Sequence, residues 1–283
     1  MIVDAHHHLW RVEDGYRWLD SADLAPIRRS FLPDDLRPEL TAAGVDRTIL
    51  VEGGRCDTAE AALLLGYARG SDPIAGVVAW ADPADPALAD TIAGYRRLPG
   101  GELLVGLRPQ VQAEPDPDYL DRPPVRRGLR TIADAGLALD VVVRVDQLAA
   151  VARAARDVPD LRIVLDHLGK PQIRDGLAGL AAWAGPISAV AAEPNVTAKL
   201  SGLVTEAVWD RWQVADLRPF VTEAVARFGA RRLMFGSDWP VCRLAADYPA
   251  VLSALREALP PLTPEERAAV FGDTATRTYR LGR

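Results

Sequence analysis

Lysine is almost missing from this chain of 283 residues: only Lys170 and Lys199 occur, and every other basic residue among the 33 Lys and Arg is arginine. Histidine is nearly as scarce, four in all, three of them consecutive at His6, His7 and His8. Cysteine is limited to Cys56 and Cys242, far apart, which excludes a disulfide framework and zinc-ribbon spacing. There is no excess of positive charge; a formal net charge of -6 argues against nucleic acid or an anionic membrane as partner. No apolar run reaches the length of about 20 residues that spans a bilayer. The opening Met1-Ile2-Val3-Asp4-Ala5-His6 lacks a basic segment followed by an apolar one, so the expected location is cytoplasmic. No low-complexity tract, fixed-length repeat or linker interrupts the chain, and one domain over residues 1–283 is expected.

What is present suits a large core: 49% hydrophobic and 25% charged residues. Eight short apolar runs recur along the chain: Ile2–His8, Thr48–Glu52, Ile74–Ala81, Leu103–Gln110, Ala138–Arg144, Arg162–Leu168, Val196–Ser201 and Leu233–Trp239. Most are continuous rather than alternating, as parallel strands buried on both faces should be. Helical patterns lie between them. Asp57-Thr58-Ala59-Glu60 reads as a capping box before Ala61–Ala68, and Thr263-Pro264-Glu265-Glu266 as an N-cap with proline at the first helical position. Gly44, Gly136 and Gly229 stand at helix C-termini. Eight strand-helix units in this length predict a single (β/α)8 barrel. The rival open sheet would carry a glycine-rich phosphate loop after its first strand, where this chain has His6-His7-His8-Leu9-Trp10. Two long connections, Arg11–Phe31 and Val111–Pro124, are expected to shape a pocket at the C-terminal face.

Chemistry-bearing residues gather at strand ends. Strand alternation places His6 and His8 on one face and His7 on the other, so two imidazoles can serve as paired metal ligands or paired electrophilic donors. His167 ends the sixth run, before Gly169 and Pro171. Asp238 ends the eighth, where a buried carboxylate needs a metal, an imidazole or a water as partner. Arg108, Lys170 and Lys199 could bind substrate carboxylate or hydroxyls, with surface cations as the plain alternative. Trp10 and Trp239 could wall a sugar ring or simply fill the core. Cys242 reads as a buried thiol rather than a nucleophile.

Taken together, Asp4-Ala5-His6-His7-His8-Leu9-Trp10, Leu165-Asp166-His167-Leu168-Gly169-Lys170-Pro171, Lys199-Leu200-Ser201-Gly202-Leu203 and Phe235-Gly236-Ser237-Asp238-Trp239-Pro240 resemble the amidohydrolase superfamily. They are most similar to its "amidohydrolase 2" branch, which includes hydrolases of L-fuconolactone and L-rhamnonolactone. The closing Gly272-Asp273-Thr274-Ala275 fits too, with Asp273 where the branch usually has Asn. The resemblance implies hydrolysis of a sugar-derived lactone. Asp238 would activate water, and His6, His8, His167 and Asp238 would hold one divalent metal, zinc first, or the histidines would polarise the carbonyl without metal. Binuclear members need a Lys or Glu on strand four and a His on strand five; Leu103–Gln110 and Ala138–Arg144 have neither. Two departures stand out: Pro109 follows Arg108 where the branch often has His, and Arg243 stands where relatives are apolar, which suggests an acidic substrate. Metal-dependent decarboxylation on the same barrel, and a non-catalytic sugar-acid binding protein, are the competing expectations.

Overall fold

The computed structural model describes residues 1–282. Eight parallel strands run in chain order: β1 (Val3–His7), β2 (Arg47–Val51), β3 (Ile74–Ala79), β4 (Leu104–Leu107), β5 (Ala138–Val141), β6 (Arg162–Leu165), β7 (Val196–Leu200) and β8 (Leu233–Phe235). The ends meet through a parallel bridge between His7 and Trp239. Asp238 N–H donates to the His6 carbonyl at 2.8 Å and His8 N–H to the Trp239 carbonyl at 2.7 Å. The expected barrel is therefore what forms.

Helices cover the outside: α1 (Pro33–Ala43), α2 (Glu60–Arg69), α3 (Leu88–Arg97), α4 (Pro123–Asp134), α5 (Leu148–Asp157), α6 (Gly176–Ala191), the short α7 (Leu203–Glu206), α8 (Val214–Phe228) and α9 (Tyr248–Ala258). The core has two layers, as the barrel geometry requires. Val3, Ala5, Ile49, Val51, Val78, Val164 and Met234 pack inside, while a larger set including Leu50, Leu107, Leu165, Leu200 and Phe235 meets the helices. Each strand thus shows apolar residues to both sides, which is why the sequence reads as continuous runs.

Two expectations change, and one strand is irregular. Several strands stop earlier than their apolar runs: the fourth ends at Leu107 rather than Gln110, and the eighth at Phe235 rather than Trp239. The residues just beyond keep single backbone bonds to the neighbouring strands, Arg108 N–H to the Ala79 carbonyl at 2.8 Å and Asp238 N–H to the His6 carbonyl at 2.8 Å. Alternation holds at His6 and His8, which meet while His7 turns to Thr48, but the register of β1 slips earlier, between Asp4 and His7. Asp4 accepts a hydrogen bond from Tyr248 of the outer helix α9 at 2.8 Å, whereas His6, two residues on, turns inward to Lys199 and Asp166. Finally, Glu60 closes no capping box. Asp57 does accept from the N–H groups of Ala59 and Glu60, but the Glu60 carboxyl is fully buried and binds Tyr16 and Gly53 instead. The Thr263 box is present, with Thr263 Oγ1 accepting from Glu266 N and Glu266 returning to Thr263 N.

Candidate active site

At the C-terminal mouth of the barrel, three imidazoles converge on Asp238. His6 Nε2 lies 3.2 Å from His8 Nε2, and Asp238 Oδ1 lies 3.7 Å from His6 Nε2, 3.5 Å from His8 Nε2 and 3.9 Å from His167 Nε2. All four side chains are buried. Two of them sit on strained backbone: His167 has φ 52° and Asp238 φ 57°, in the left-handed region that costs a side-chain-bearing residue about 1–3 kcal/mol. The fold leaves room for these rings. A Cβ on Gly202 would stand 2.6 Å from His167 Nδ1, and one on Gly236 would stand 2.7 Å from the Cβ of His6.

The second nitrogen of each ring is anchored. His8 Nδ1 faces the Val51 carbonyl at 3.0 Å; a carbonyl only accepts, so Nδ1 carries the proton and Nε2 is left to the cluster. His167 Nδ1 meets Ser201 Oγ at 2.9 Å. His6 Nδ1 lies 3.3 Å from Asp166 Oδ1 and 3.1 Å from Lys199 Nζ. Burial lowers the pKa of His167 to about 4, although Asp238 pulls the other way, and burial takes His6 well below its ordinary value against the pull of Asp166. These two rings are therefore neutral near pH 7. Burial pushes the Asp238 carboxyl up, but His167, His8 and Lys170 outweigh it and hold it below the ordinary carboxylate value, so it is ionised. His7 is separate: its Nε2 pairs with Thr48 Oγ1 at 2.9 Å.

Beneath the cluster lies a buried charge network. Lys199, fully inaccessible, reaches Asp140 at 2.5 Å and Asp166 at 3.0 Å. Tyr279 OH donates to Asp140 at 2.6 Å. Arg108 Nε contacts Glu52 at 2.5 Å, and its Nη1 lies 3.1 Å from Asp166 and 3.3 Å from His6 Nε2. A cavity of about 490 Å³ opens above, lined among others by His8, Trp18, Arg108, Gln110, Gln112, His167, Lys170, Glu206, Trp209 and Asp238.

This placement sorts the sequence candidates. His8, His167, Asp238, Arg108 and Lys170 reach the cavity, and His6 backs it. Lys199 does not; it lies under His6. Trp10 and Trp239 are wholly buried behind the site, each edge-on to Phe31, and the tryptophans that line the cavity are Trp18 and Trp209. Arg243 points away and pairs with Glu39 at 3.3 Å outside the cavity lining, which removes the basis for an acidic substrate at that position. Glu52, Asp140, Asp166, Glu206, Trp18 and Trp209 were not singled out from sequence. For the first three there was a signal: an ionisable residue within or just after an apolar strand must find a partner.

A family model described as "Amidohydrolase" matches residues 3–281. The chain belongs to the Amidohydrolase family. It is 39% identical over 290 aligned residues, 99% of this chain and 96% of the other, to a protein of Burkholderia multivorans named L-fucono-1,5-lactonase. A protein of the same name from Burkholderia ambifaria is 38% identical, again over 99% of this chain and 96% of its own length. Crystal structures of a Burkholderia multivorans amidohydrolase, one with bound Zn and one with bound HEPES, superimpose with a TM-score of 0.91 at 36% identity, covering 100% of both chains.

In this amidohydrolase the donor atoms of His6, His8 and Asp238 are grouped closely enough to hold a divalent ion. Ligand bonds of about 2.0–2.1 Å in tetrahedral arrangement put donor atoms about 3.3 Å apart. The separations of 3.2, 3.5 and 3.7 Å among His6, His8 and Asp238 lie near that spacing, and His167 Nε2 stands 3.9 Å from Asp238 at the edge of the group. Anchoring of each second nitrogen by Val51, Ser201 and Asp166 is the support that metal-ligating imidazoles normally have.

Proposed function

We propose that this protein is a hydrolase that opens a sugar-derived lactone to its hydroxy acid. The observation that carries the reading is full-length similarity, at 38–39% identity, to proteins named L-fucono-1,5-lactonase. The site chemistry agrees. Lactone hydrolysis needs a base for the attacking water and positive charge where the carbonyl oxygen becomes an oxyanion. Asp238, ionised and open to the cavity, takes the proton from water. Once protonated, Asp238 returns that proton to the departing ring oxygen, with neutral His167 beside it. Arg108, held cationic by Glu52 and Asp166, offers its guanidinium at the cavity floor to the oxyanion. His6, His8, His167 and Asp238 would hold one divalent ion, zinc in this reading, which when bound polarises the carbonyl and lowers the pKa of water. Lys170 and the indoles of Trp18 and Trp209 border the space left for the sugar ring.

The test is acid release, followed with a pH indicator, across aldonolactones and unsaturated lactones, using protein as purified, chelator-treated and zinc-supplemented. Rapid opening of one aldonolactone supports the reading, and the three metal states decide the role of the histidines. Silence in every state, or release of carbon dioxide from an aromatic acid instead, overturns it.

A further inference from the structure

Glu206 is a carboxylate set into the cavity wall with little to bind. Its side chain is 13% exposed, and burial raises its pKa against the pull of Lys170 and Arg174. Its one close cation, Lys170 Nζ, stands 3.7 Å away, beyond hydrogen-bond length. The neighbouring donors are engaged: Thr205 Oγ1 donates to the Gly202 carbonyl at 2.8 Å and Trp209 Nε1 to the Thr205 carbonyl at 2.9 Å. Across the cavity Trp18 Nε1 is taken by the Gly53 carbonyl at 2.7 Å. Both indoles therefore line the space with ring carbon, while Glu206 keeps open acceptor capacity. A partly buried carboxylate short of protein donors gains when a ligand supplies them.

The other charges narrow the ligand further. Arg108 is paired with Glu52 and Asp166, and Lys170 lies beside Glu206. Arg174 is the exposed cation at the rim, and Asp238 is the remaining anion within. An anionic group placed beside Glu206 would face that carboxylate and, beyond it, Asp238. A neutral ring bearing hydroxyls meets no such repulsion and supplies the donors that Glu206 lacks.

We propose that Glu206 is a specificity-determining residue that accepts hydrogen bonds from ring hydroxyls, and that the cavity thereby selects polyhydroxylated rings over unsubstituted ones. This deepens the lactonase reading and, for turnover, rests on it. The kinetic test compares wild type with Glu206→Ala and Glu206→Gln on a hydroxylated six-membered aldonolactone and on unsubstituted δ-valerolactone. Loss of Glu206 should lower kcat/KM for the hydroxylated ring by about 10- to 100-fold, mainly through KM, as expected for one or two hydrogen bonds to a charged group. The unsubstituted ring should change by less than about threefold, and Gln should fall between wild type and Ala. Equal losses on both rings, or none on either, overturn the assignment while leaving the lactonase reading intact. Binding of L-fucose, followed by tryptophan fluorescence, needs no turnover: Kd should rise at least about tenfold in Glu206→Ala. Failure of wild type to bind the sugar, or an unchanged Kd, also overturns the proposal. Sugar binding that depends on Glu206 in a protein that opens no lactone keeps it and removes the lactonase reading.

Discussion

Glu60 offers a test of the structure that does not depend on catalysis. Its carboxyl is fully buried; Oε1 accepts from Tyr16 OH at 2.9 Å and from Gly53 N at 2.7 Å, and Oε2 has no partner. Burial, reinforced by the nearby charge of Glu52, raises its pKa from 4.5 to about 8. Because the folded value lies above the unfolded one, the native state binds the extra proton between the two. Stability attributable to this group is therefore full below pH 4.5 and is lost as pH climbs to about 8. At about 1.4 kcal/mol per pH unit over roughly 3.5 units, the loss is on the order of 5 kcal/mol. Glu60→Gln keeps the shape and the accepting oxygen but cannot ionise. The variant should match wild type within about 1 kcal/mol at pH 5 and exceed it by several kcal/mol at pH 8.5. Guanidinium unfolding of both proteins at the two pH values reads this directly. A difference that stays the same from pH 5 to 8.5 would refute the reasoning, since a purely steric effect carries no proton.

Asp238→Asn keeps the side-chain shape but removes the base, and should lower kcat by about 10²- to 10⁴-fold with an unchanged circular dichroism spectrum; near-normal turnover would end Asp238's role. Lys199→Met strips Asp140 of its cation and should destabilise the fold by about 3–5 kcal/mol in urea unfolding, because a buried carboxylate is left uncompensated. Arg243→Ala should leave KM unchanged for neutral and acidic lactones alike and shift stability by less than about 1 kcal/mol, because its pair with Glu39 is 38% exposed on the arginine side and outside the cavity.

The barrel was legible because its strands are buried on both faces, which writes each one as an unbroken apolar run. The four cluster residues were legible for a related reason: a polar residue closing such a run stands at the C-terminal mouth whatever the exact strand length. What alternation could not supply was the slip in β1. Asp4 and His6 share a face in a regular strand, yet one reaches Tyr248 outside and the other Lys199 inside. A slip of this kind is set by the closing contacts of β1 with the segment after β8, where Asp4 accepts from both Ser237 N–H and Ser237 Oγ, and no local pattern records it.

The same limit explains the misplaced substrate residues. Trp10 and Trp239 follow His8 and Asp238 closely, and proximity in sequence made them look like pocket walls. The chain turns back at both places, however, and their rings fall behind the cluster against Phe31. The walls come instead from segments with no strand to announce them: Trp18 from the long first loop, Glu206 and Trp209 from the short helix α7 and the turn after it. Catalytic groups sit where the scaffold fixes direction, so a strand pattern finds them. Groups that select substrate sit on the loops above, where direction depends on packing between distant segments, and there a carboxylate left short of hydrogen-bond donors, Glu206 above all, is the better guide to what the protein accepts.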